Sequence, residues 1–226
     1  MGNKLWVFGD SFSVKSKQEN TYIDQISAAL NLEIRNYSKG GSSLDYLYYA
    51  FDNTFSEIKE NDVVLITLTD YYRVWMNREH PDYGTWGDIT YEDRRWLNQY
   101  KTKFFIEEAK FAQLNMFLEV VAARLDFLNS KPVLLWCFWD EIAAGNIRPV
   151  KNSITVSKGS LYTISINEFK TEADKVFIKT NNLDDRPNHF SLKNHNILAD
   201  KVINYLNNNI DVIDLTEGFY SNFIES

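Results

Sequence analysis

The sequence predicts an α/β protein in which helices cover both faces of a central parallel β-sheet. Short apolar runs alternate along the chain with segments whose apolar residues recur at helical spacing. Parallel strands need crossover connections, and helices in those connections cover the sheet on both sides. Turns that contain glycine follow the first two apolar runs. Since ligands bind beyond the carboxyl ends of such strands, these turns are the expected place for a functional site.

Eight regular elements can be assigned from periodicity. The predicted strands cover residues 5–8, 32–34, 62–68 and 133–138. The predicted helices cover residues 22–30, 44–55, 104–127 and 191–205. Tyr48 and Leu192 are expected on the buried faces of their helices, and Ser191 is expected to cap the last one.

Three segments are less regular. Residues 71–100 have no clean period and are rich in aromatic side chains, which predicts an insertion that acts as a lid or binding loop. A short hairpin is expected around residues 154–166, within the poorly patterned stretch 145–182. The tail, 210–226, is expected to dock in irregular form.

Length and composition favour one domain over residues 1–226. The chain is 44% hydrophobic and has only four prolines, which suits a single core. Its formal net charge is -7, so we expect no nucleic-acid partner. No apolar run approaches ~18 residues, and the amino terminus lacks the pattern of a signal peptide. We therefore expect no membrane span and, by default, a cytoplasmic protein, with a virion as the other location.

The first candidate site is the turn Gly9-Asp10-Ser11, directly after the first predicted strand. Gly9 permits a tight turn, which presents Ser11 at the sheet edge with backbone N–H groups pointing outward. This geometry suits a nucleophile. The same tripeptide is also typical of a polar turn that caps a helix, and its position after the amino-terminal strand favours the nucleophile.

From this turn onward the sequence resembles the SGNH hydrolases, also called GDSL-like, over residues 4–205. Their first motif is Gly-Asp-Ser after the amino-terminal strand. Their second is an Asn followed by a Gly before a helix, which Asn36 and Gly41 match. The resemblance implies a flavodoxin-like three-layer α/β/α fold, with Ser11 as nucleophile and the backbone N–H groups of Ser11 and Gly41 in the oxyanion hole. The alternative for Gly41 is an ordinary glycine turn that opens a helix.

The third motif of the family matches poorly. It usually reads Gly-x-Asn-Asp after a strand, whereas this chain has Thr67-Leu68-Thr69-Asp70. Thr69 stands where the family has the Asn whose side chain donates to the oxyanion, and its hydroxyl offers one donor from a shorter side chain. Loss of an oxyanion donor costs roughly a hundred- to a thousandfold in rate, so this replacement bears on activity.

The last motif of the family is Asp-x-x-His, which the segment from Asp185 to His189 resembles. The resemblance assigns His189 as general base and Asp185 as the acid that orients it, one residue further away than usual. Asp184 is the alternative acid. A serine nucleophile needs such a base, and the other histidines suit the role less well. His80 lies in the irregular insertion, and His195 is expected to pack or cap at a helix start.

No cofactor and no metal are expected. Two acids and two histidines cluster in sequence at positions 184, 185, 189 and 195. Their spacing fits neither the His-Glu-x-x-His pattern nor a Cys/His zinc pattern. Hydrolysis by a serine, a histidine and an acid needs neither.

Candidate substrate contacts lie close in sequence to the predicted oxyanion loop. Aromatic faces such as those of Tyr72 and Trp75 suit sugar rings or acyl chains, and equally a secondary core or an oligomer contact. Arg73 has two candidate partners, a substrate carboxylate and a surface acid, of which the surface acid is preferred. Asp10 completes the set of candidate contacts.

Two functions are compatible with the sequence. The first is a serine esterase acting on a small-molecule or glycan ester, including O-acetyl groups on carbohydrate; acyl transfer to another hydroxyl would use the same residues. The second is a catalytically idle SGNH-like module that binds glycan or serves in a larger assembly such as a viral particle. Thr69 and the displaced Asp185 favour the second function, whereas an intact Ser11 and His189 favour the first.

Overall fold

A computed structural model describes most of the chain. The described residues are 3–14, 20–70, 73, 95, 99, 106–130, 132–138, 155–168, 171–180, 191–208 and 210–221. Within them the protein has a central sheet of five parallel strands flanked by helices, which confirms the predicted fold class.

The sheet has the strand order β2-β1-β3-β4-β5. Its strands are β1 (Lys4–Phe8), β2 (Glu33–Asn36), β3 (Val63–Leu68), β4 (Pro132–Trp136) and β5 (Val156–Ser160). This is the flavodoxin-like order, in which the chain leaves β1 to one side and returns to the other side for β3. The crevice between the loops after β1 and β3 is therefore the topological switch point of the sheet.

Helices form a layer on each face of the sheet. They are α1 (Tyr22–Leu30), α2 (Leu44–Thr54), α3 (Glu107–Phe127), α4 (Leu161–Asn167), α5 (Glu172–Thr180) and α6 (Leu192–Asn207). Buried side chains of α2 and α3 form one core with the sheet, and those of α1, α4 and α6 form the other. Among the described residues, none of these helices has both the length and the apolar character needed to cross a membrane.

Alternation along the strands divides the apolar residues between the two cores. In β1, Trp6 and Phe8 face α2 and α3, whereas Leu5 and Val7 face α1 and α6. Both sets are fully buried, as expected for a parallel strand in the middle of a sheet. Strand β1 is thus packed between helices on both faces of the sheet.

Most predicted elements are confirmed to within a few residues. The predicted helix 22–30 has the bounds of α1, and Ser191 caps α6 by accepting a hydrogen bond from the backbone N–H of Asn194 at 3.4 Å. Two burial predictions are wrong. Tyr48 is 42% exposed because it lies at the margin of the α2 stripe, edge-on to Phe117, and Leu192 is 42% exposed at the first turn of α6.

The hairpin predicted around residues 154–166 is wrong. Its described part, from residue 155, is instead strand β5, which pairs parallel to β4, followed directly by α4. The side chain of Ser160 accepts from the backbone N–H of Thr163 at 3.2 Å and so begins a helix where a hairpin turn was expected. Gly159, with φ of 80°, takes the left-handed conformation one residue earlier.

Gly9 ends β1 in close contact with β3. A Cβ atom built at this position would lie 1.8 Å from Oγ1 of Thr67 and 2.9 Å from Oγ of Ser13. No side chain fits that space without moving the neighbouring strand or the following turn. The glycine is therefore required by packing.

We expect Gly9→Ala to destabilise the protein by about 3 kcal/mol or more, the upper end for overpacked sites. Urea unfolding measures the change. Gly40→Ala is the matched control, because a Cβ there meets nothing within 4 Å, and its stability should stay within about 0.5 kcal/mol of the parent. Equal midpoints for the two variants would contradict the packing of β1 against β3.

Candidate active site

Loops from three adjacent strands meet at the carboxyl edge of the sheet. The carbonyl of Gly9, after β1, accepts hydrogen bonds from Lys39 N at 3.0 Å and from Ser42 Oγ at 2.8 Å, both after β2. The hydroxyl of Thr69, after β3, donates to the carbonyl of Ser42 at 2.7 Å. The loops that hold Ser11, Gly41 and Thr69 are thus bonded to one another, as the sequence predicts for the carboxyl ends of parallel strands.

Ser11 lies in a tight turn. The carbonyl of Asp10 accepts from the backbone N–H groups of Ser13 and Val14 at 3.0 and 3.1 Å, which closes one helical turn. The Asp10 carboxylate accepts from the backbone N–H of Phe12 at 3.1 Å. Ser11 is 6% exposed at the second position of this turn. Side-chain and backbone bonds of Asp10 therefore fix the backbone on both sides of Ser11.

Asn36 and Gly41 shape the second loop. The Asn36 side chain donates to the carbonyl of Ser13 at 2.7 Å and accepts from the backbone N–H of Ser38 at 2.8 Å. Gly41 has φ of 71°, in the left-handed region that favours glycine. Asn36 thus ties the end of β2 to the Ser11 turn, and Gly41 reverses the chain into α2.

Arg73 and Asp10 form a buried ion pair. Nη1 of Arg73 lies 3.1 Å from Oδ2 of Asp10, and the two side chains are 7% and 0% exposed. The guanidinium carbon lies 4.9 Å from the centre of the Phe138 ring. The expectation that Arg73 pairs with a surface acid is wrong, because its partner is an acid that has no exposed surface. Contact of Asp10 or Arg73 with a substrate stays a prediction.

Thr69 is engaged on both sides. Its hydroxyl oxygen accepts from Nη1 of Arg73 at 2.8 Å, and its proton goes to the carbonyl of Ser42 at 2.7 Å. Since a hydroxyl has one proton, donation to an oxyanion requires this bond to open. The role of Thr69 as an oxyanion donor stays a prediction.

A polar layer lies beneath the Ser11 turn. Oγ of Ser13 is hydrogen-bonded to Oγ1 of Thr67 at 2.7 Å and to the hydroxyl of Tyr22 at 2.9 Å. The Tyr22 ring stacks on His195 with centroids 5.8 Å apart, and the Tyr22 backbone N–H donates to Nδ1 of His195 at 3.3 Å. Burial raises the pKa of Tyr22, so this hydroxyl keeps its proton. His195 therefore packs at the start of α6, as expected.

Glu168 anchors the first turn of α6. Its carboxylate accepts from the backbone N–H of Ser191 at 2.8 Å and from the side-chain amide of Asn194 at 2.9 Å, and the residue is 2% exposed. A carboxylate at a helix N-terminus also interacts favourably with the helix dipole. Ser191 is two residues beyond His189 in the sequence, so Glu168 fixes the end of the segment that carries the predicted base.

Several predicted site residues lie outside the described residues. They are Tyr72, Trp75, Asp184, Asp185 and His189. The roles assigned to them stay predictions, as does the insertion at 71–100. In the part of the chain that is described, no group of three His, Cys, Asp or Glu side chains is arranged to hold a metal ion.

Sequence analysis missed two roles. The pairing of Asp10 with Arg73 joins residues 63 positions apart, and the anchoring of Ser191 by Glu168 joins residues 23 positions apart. No local pattern connects either pair. Glu168 stands between Asn167 and Phe169 in the sequence, a setting that is equally typical of a solvated helix end, so the sequence held no signal that separates the two cases.

Comparison with known proteins adds a distant structural likeness. A scan against protein-family models and a search of curated proteins gave no match. Among solved structures, a protein from Parabacteroides merdae named as a GDSL-like lipase is 14% identical, with a TM-score of 0.32. The match covers 60% of this chain and 58% of that one, so this chain spans under two thirds of that protein's length. This similarity is too low to support an argument about the fold or the function of this chain.

The lone cysteine gives a test of the buried layer. Cys137 is fully buried, its thiol donates to Oδ1 of Asp10 at 3.3 Å, and burial together with the Asp10 charge raises its pKa well above the usual value. Because a thiol reacts as the thiolate, we expect negligible labelling of the native protein by a disulfide reagent at about pH 8. Full labelling should follow unfolding in guanidinium chloride. Rapid labelling of native protein would contradict this environment.

Glu168→Gln tests the anchor of α6. The amide brings a donor to a position where both partners also donate, so we expect a loss of about 1–3 kcal/mol in unfolding free energy. Urea unfolding measures it. Glu172→Gln is the control, since Glu172 is exposed and, among the described residues, forms an ion pair with Lys175 alone; it should change stability by less than about 0.5 kcal/mol. Equal effects would show that Glu168 is no anchor.

Proposed function

We propose that this protein is a serine hydrolase that cleaves esters, with Ser11 as its nucleophile. One observation carries the proposal: Ser11 occupies a hydrogen-bonded turn at the carboxyl end of β1, at the switch point of the sheet, with the Gly41 loop bonded to the residue before that turn. Ligands of such sheets bind at this place. A serine presented there, with backbone donors beside it, has the surroundings that a nucleophile needs.

The proposed reaction follows from the groups available. Ser11 Oγ attacks the ester carbonyl while His189 accepts its proton, and the backbone N–H groups of Ser11 and Gly41 stabilise the oxyanion. His189 then protonates the leaving alcohol, and water hydrolyses the acyl-enzyme by the same steps. Asp185 orients His189. As substrate we propose an ester on a small molecule or glycan, with acyl transfer to a second hydroxyl as the variant of the same chemistry.

The packing of α6 supports His189 as the base. At its first turn, His195 stacks on Tyr22, whose hydroxyl bonds to Ser13, two residues from Ser11. Ser191 is fixed by Glu168 at the same helix end. His189 stands two residues before Ser191 in the sequence, so the proposed base precedes a helix end that is connected to the Ser11 turn.

One observation favours a second function, a catalytically idle binding module. The only hydroxyl proton of Thr69, the residue that stands for the family's Asn donor, is bonded to the Ser42 carbonyl. An oxyanion would then have the backbone donors alone. Since each donor is worth roughly a hundred- to a thousandfold in rate, such a site could bind an ester or glycan with little turnover.

Hydrolysis of p-nitrophenyl acetate and butyrate separates the two functions. If the protein is an esterase, Ser11→Ala and His189→Ala should each lower kcat by at least about a thousandfold, because the two residues act as a unit. The double variant should then be no worse than either single variant. Initial rates at several substrate concentrations give kcat and KM for all four proteins.

Ser38→Ala is the matched control, since it removes a serine hydroxyl from the same loop edge; within the described residues that hydroxyl has no hydrogen-bond partner. It should retain the parent kcat. Turnover that survives Ser11→Ala, or its absence in the parent protein, would contradict the esterase. In the second case, glycan binding unchanged by Ser11→Ala would support the binding module.

A further inference from the structure

A single nitrogen atom contacts all three loops of the site. Nη1 of Arg73 lies 3.1 Å from Oδ2 of Asp10 after β1, 3.3 Å from the carbonyl of Ser42 after β2, and 2.8 Å from Oγ1 of Thr69 after β3. All three atoms are hydrogen-bond acceptors toward the guanidinium. Arg73 therefore joins the carboxyl ends of three adjacent strands at one point.

Each contacted residue lies next to a proposed oxyanion donor or is one. Asp10 precedes Ser11, Ser42 follows Gly41, and Thr69 holds the place of the third donor. The Ser11 N–H shares a planar peptide unit with the Asp10 carbonyl, which accepts from the backbone N–H groups of Ser13 and Val14. The Gly41 N–H lies in a turn closed by the bond from the Ser42 N–H to the Lys39 carbonyl, and Arg73 bonds to the Ser42 carbonyl at the end of that turn. Holding the Asp10 side chain and the Ser42 carbonyl therefore limits the movement of the chain next to both N–H groups.

The guanidinium is itself buried and paired, while its Nε has no hydrogen-bond partner among the described residues. It is 7% exposed as a side chain, carries the charge that compensates the buried Asp10, and lies over the Phe138 ring at 4.9 Å. Charge-assisted hydrogen bonds of this kind are stronger than neutral ones and are specific in geometry. A planar cation stacked on a ring and bonded at one end has little freedom to swing.

We propose that Arg73 is a positioning residue for the oxyanion hole, which it assembles by joining the three loops through Asp10, Ser42 and Thr69. The inference rests on the proposed esterase function and adds a residue to it. Arg73 acts through the groups it holds and touches no reacting atom. This role also explains why the Thr69 hydroxyl is bonded to Arg73 and to the Ser42 carbonyl, since both bonds join the loops.

The test compares kcat and KM of the whole protein for p-nitrophenyl acetate before and after Arg73→Ala. Displacement of oriented groups by about 1 Å costs on the order of a hundredfold, so we expect kcat to fall by about that factor. KM should change by less than about threefold, since positioning acts on kcat. Arg73→Lys should be intermediate, because its ammonium keeps the charge and three donors on one atom.

Two further measurements separate positioning from stability. Free guanidinium, at concentrations too low to affect unfolding, should restore part of kcat in Arg73→Ala by occupying the vacated space. Arg124→Ala is the matched control, since Arg124 also pairs with an aspartate, Asp52 at 2.7 Å, and also stacks on a ring, Phe55 at 4.9 Å, away from the site. It should keep the parent kcat.

Arg73→Ala leaves the Asp10 carboxylate buried and unpaired, which is strongly destabilising. If that variant does not fold, Asp10→Asn/Arg73→Ala takes its place, because Asn keeps an acceptor for the Phe12 N–H and removes the charge. Turnover that depends on Ser11 but is unchanged in folded Arg73 variants would overturn the inference alone. A parent protein without Ser11-dependent turnover would overturn the esterase and the inference together.

Discussion

The buried carboxylate of Asp10 is the constraint on which the candidate site depends. Its side chain has no exposed surface, yet it accepts from the Phe12 backbone N–H, the Cys137 thiol and Arg73 Nη1. An ionised group in this position is tolerated only if it is paired and hydrogen-bonded. The Ser11 turn, the end of β4 and the loop after β3 must therefore adopt mutually consistent positions, because each supplies a donor to the same carboxylate.

Close packing beneath the Ser11 turn also restricts the positions that these loops can take. Gly9 leaves no room for a side chain because Oγ1 of Thr67 occupies that space, and this oxygen is in turn bonded to Ser13. The polar layer continues through Tyr22 to the start of α6, where His195 and Glu168 fix the helix end. Buried polar groups that satisfy one another in this way give a layer a single arrangement, because any shift leaves a donor or acceptor unpaired. The Ser11 turn and the helix after the predicted base are thus parts of one connected layer.

The fold class was predictable because it depends on the periodicity of apolar residues, which is a local property of the sequence. Helix α1 and the buried strand β1 show this periodicity plainly. Strand β5, with the sequence Val-Ser-Lys-Gly-Ser, carries almost no apolar signal and becomes a strand through its pairing with β4. The loop that carries Ser11 was predictable from Gly9 for the same local reason. The partner of Arg73 was not, because Asp10 is brought to it by strand order, and a one-dimensional pattern gives no weight to a contact between β1 and the loop after β3.

The hydroxyl of Thr69 and the guanidinium of Arg73 are best understood together. Arg73 Nη1 needs acceptors, and the Thr69 hydroxyl accepts from it while it donates to the carbonyl of Ser42. The one proton of this hydroxyl is thus used between the loops after β2 and β3. The Thr69 hydroxyl therefore serves the junction between the loops, and under the proposed esterase function the rate would depend on how well the backbone N–H groups of Ser11 and Gly41 are held.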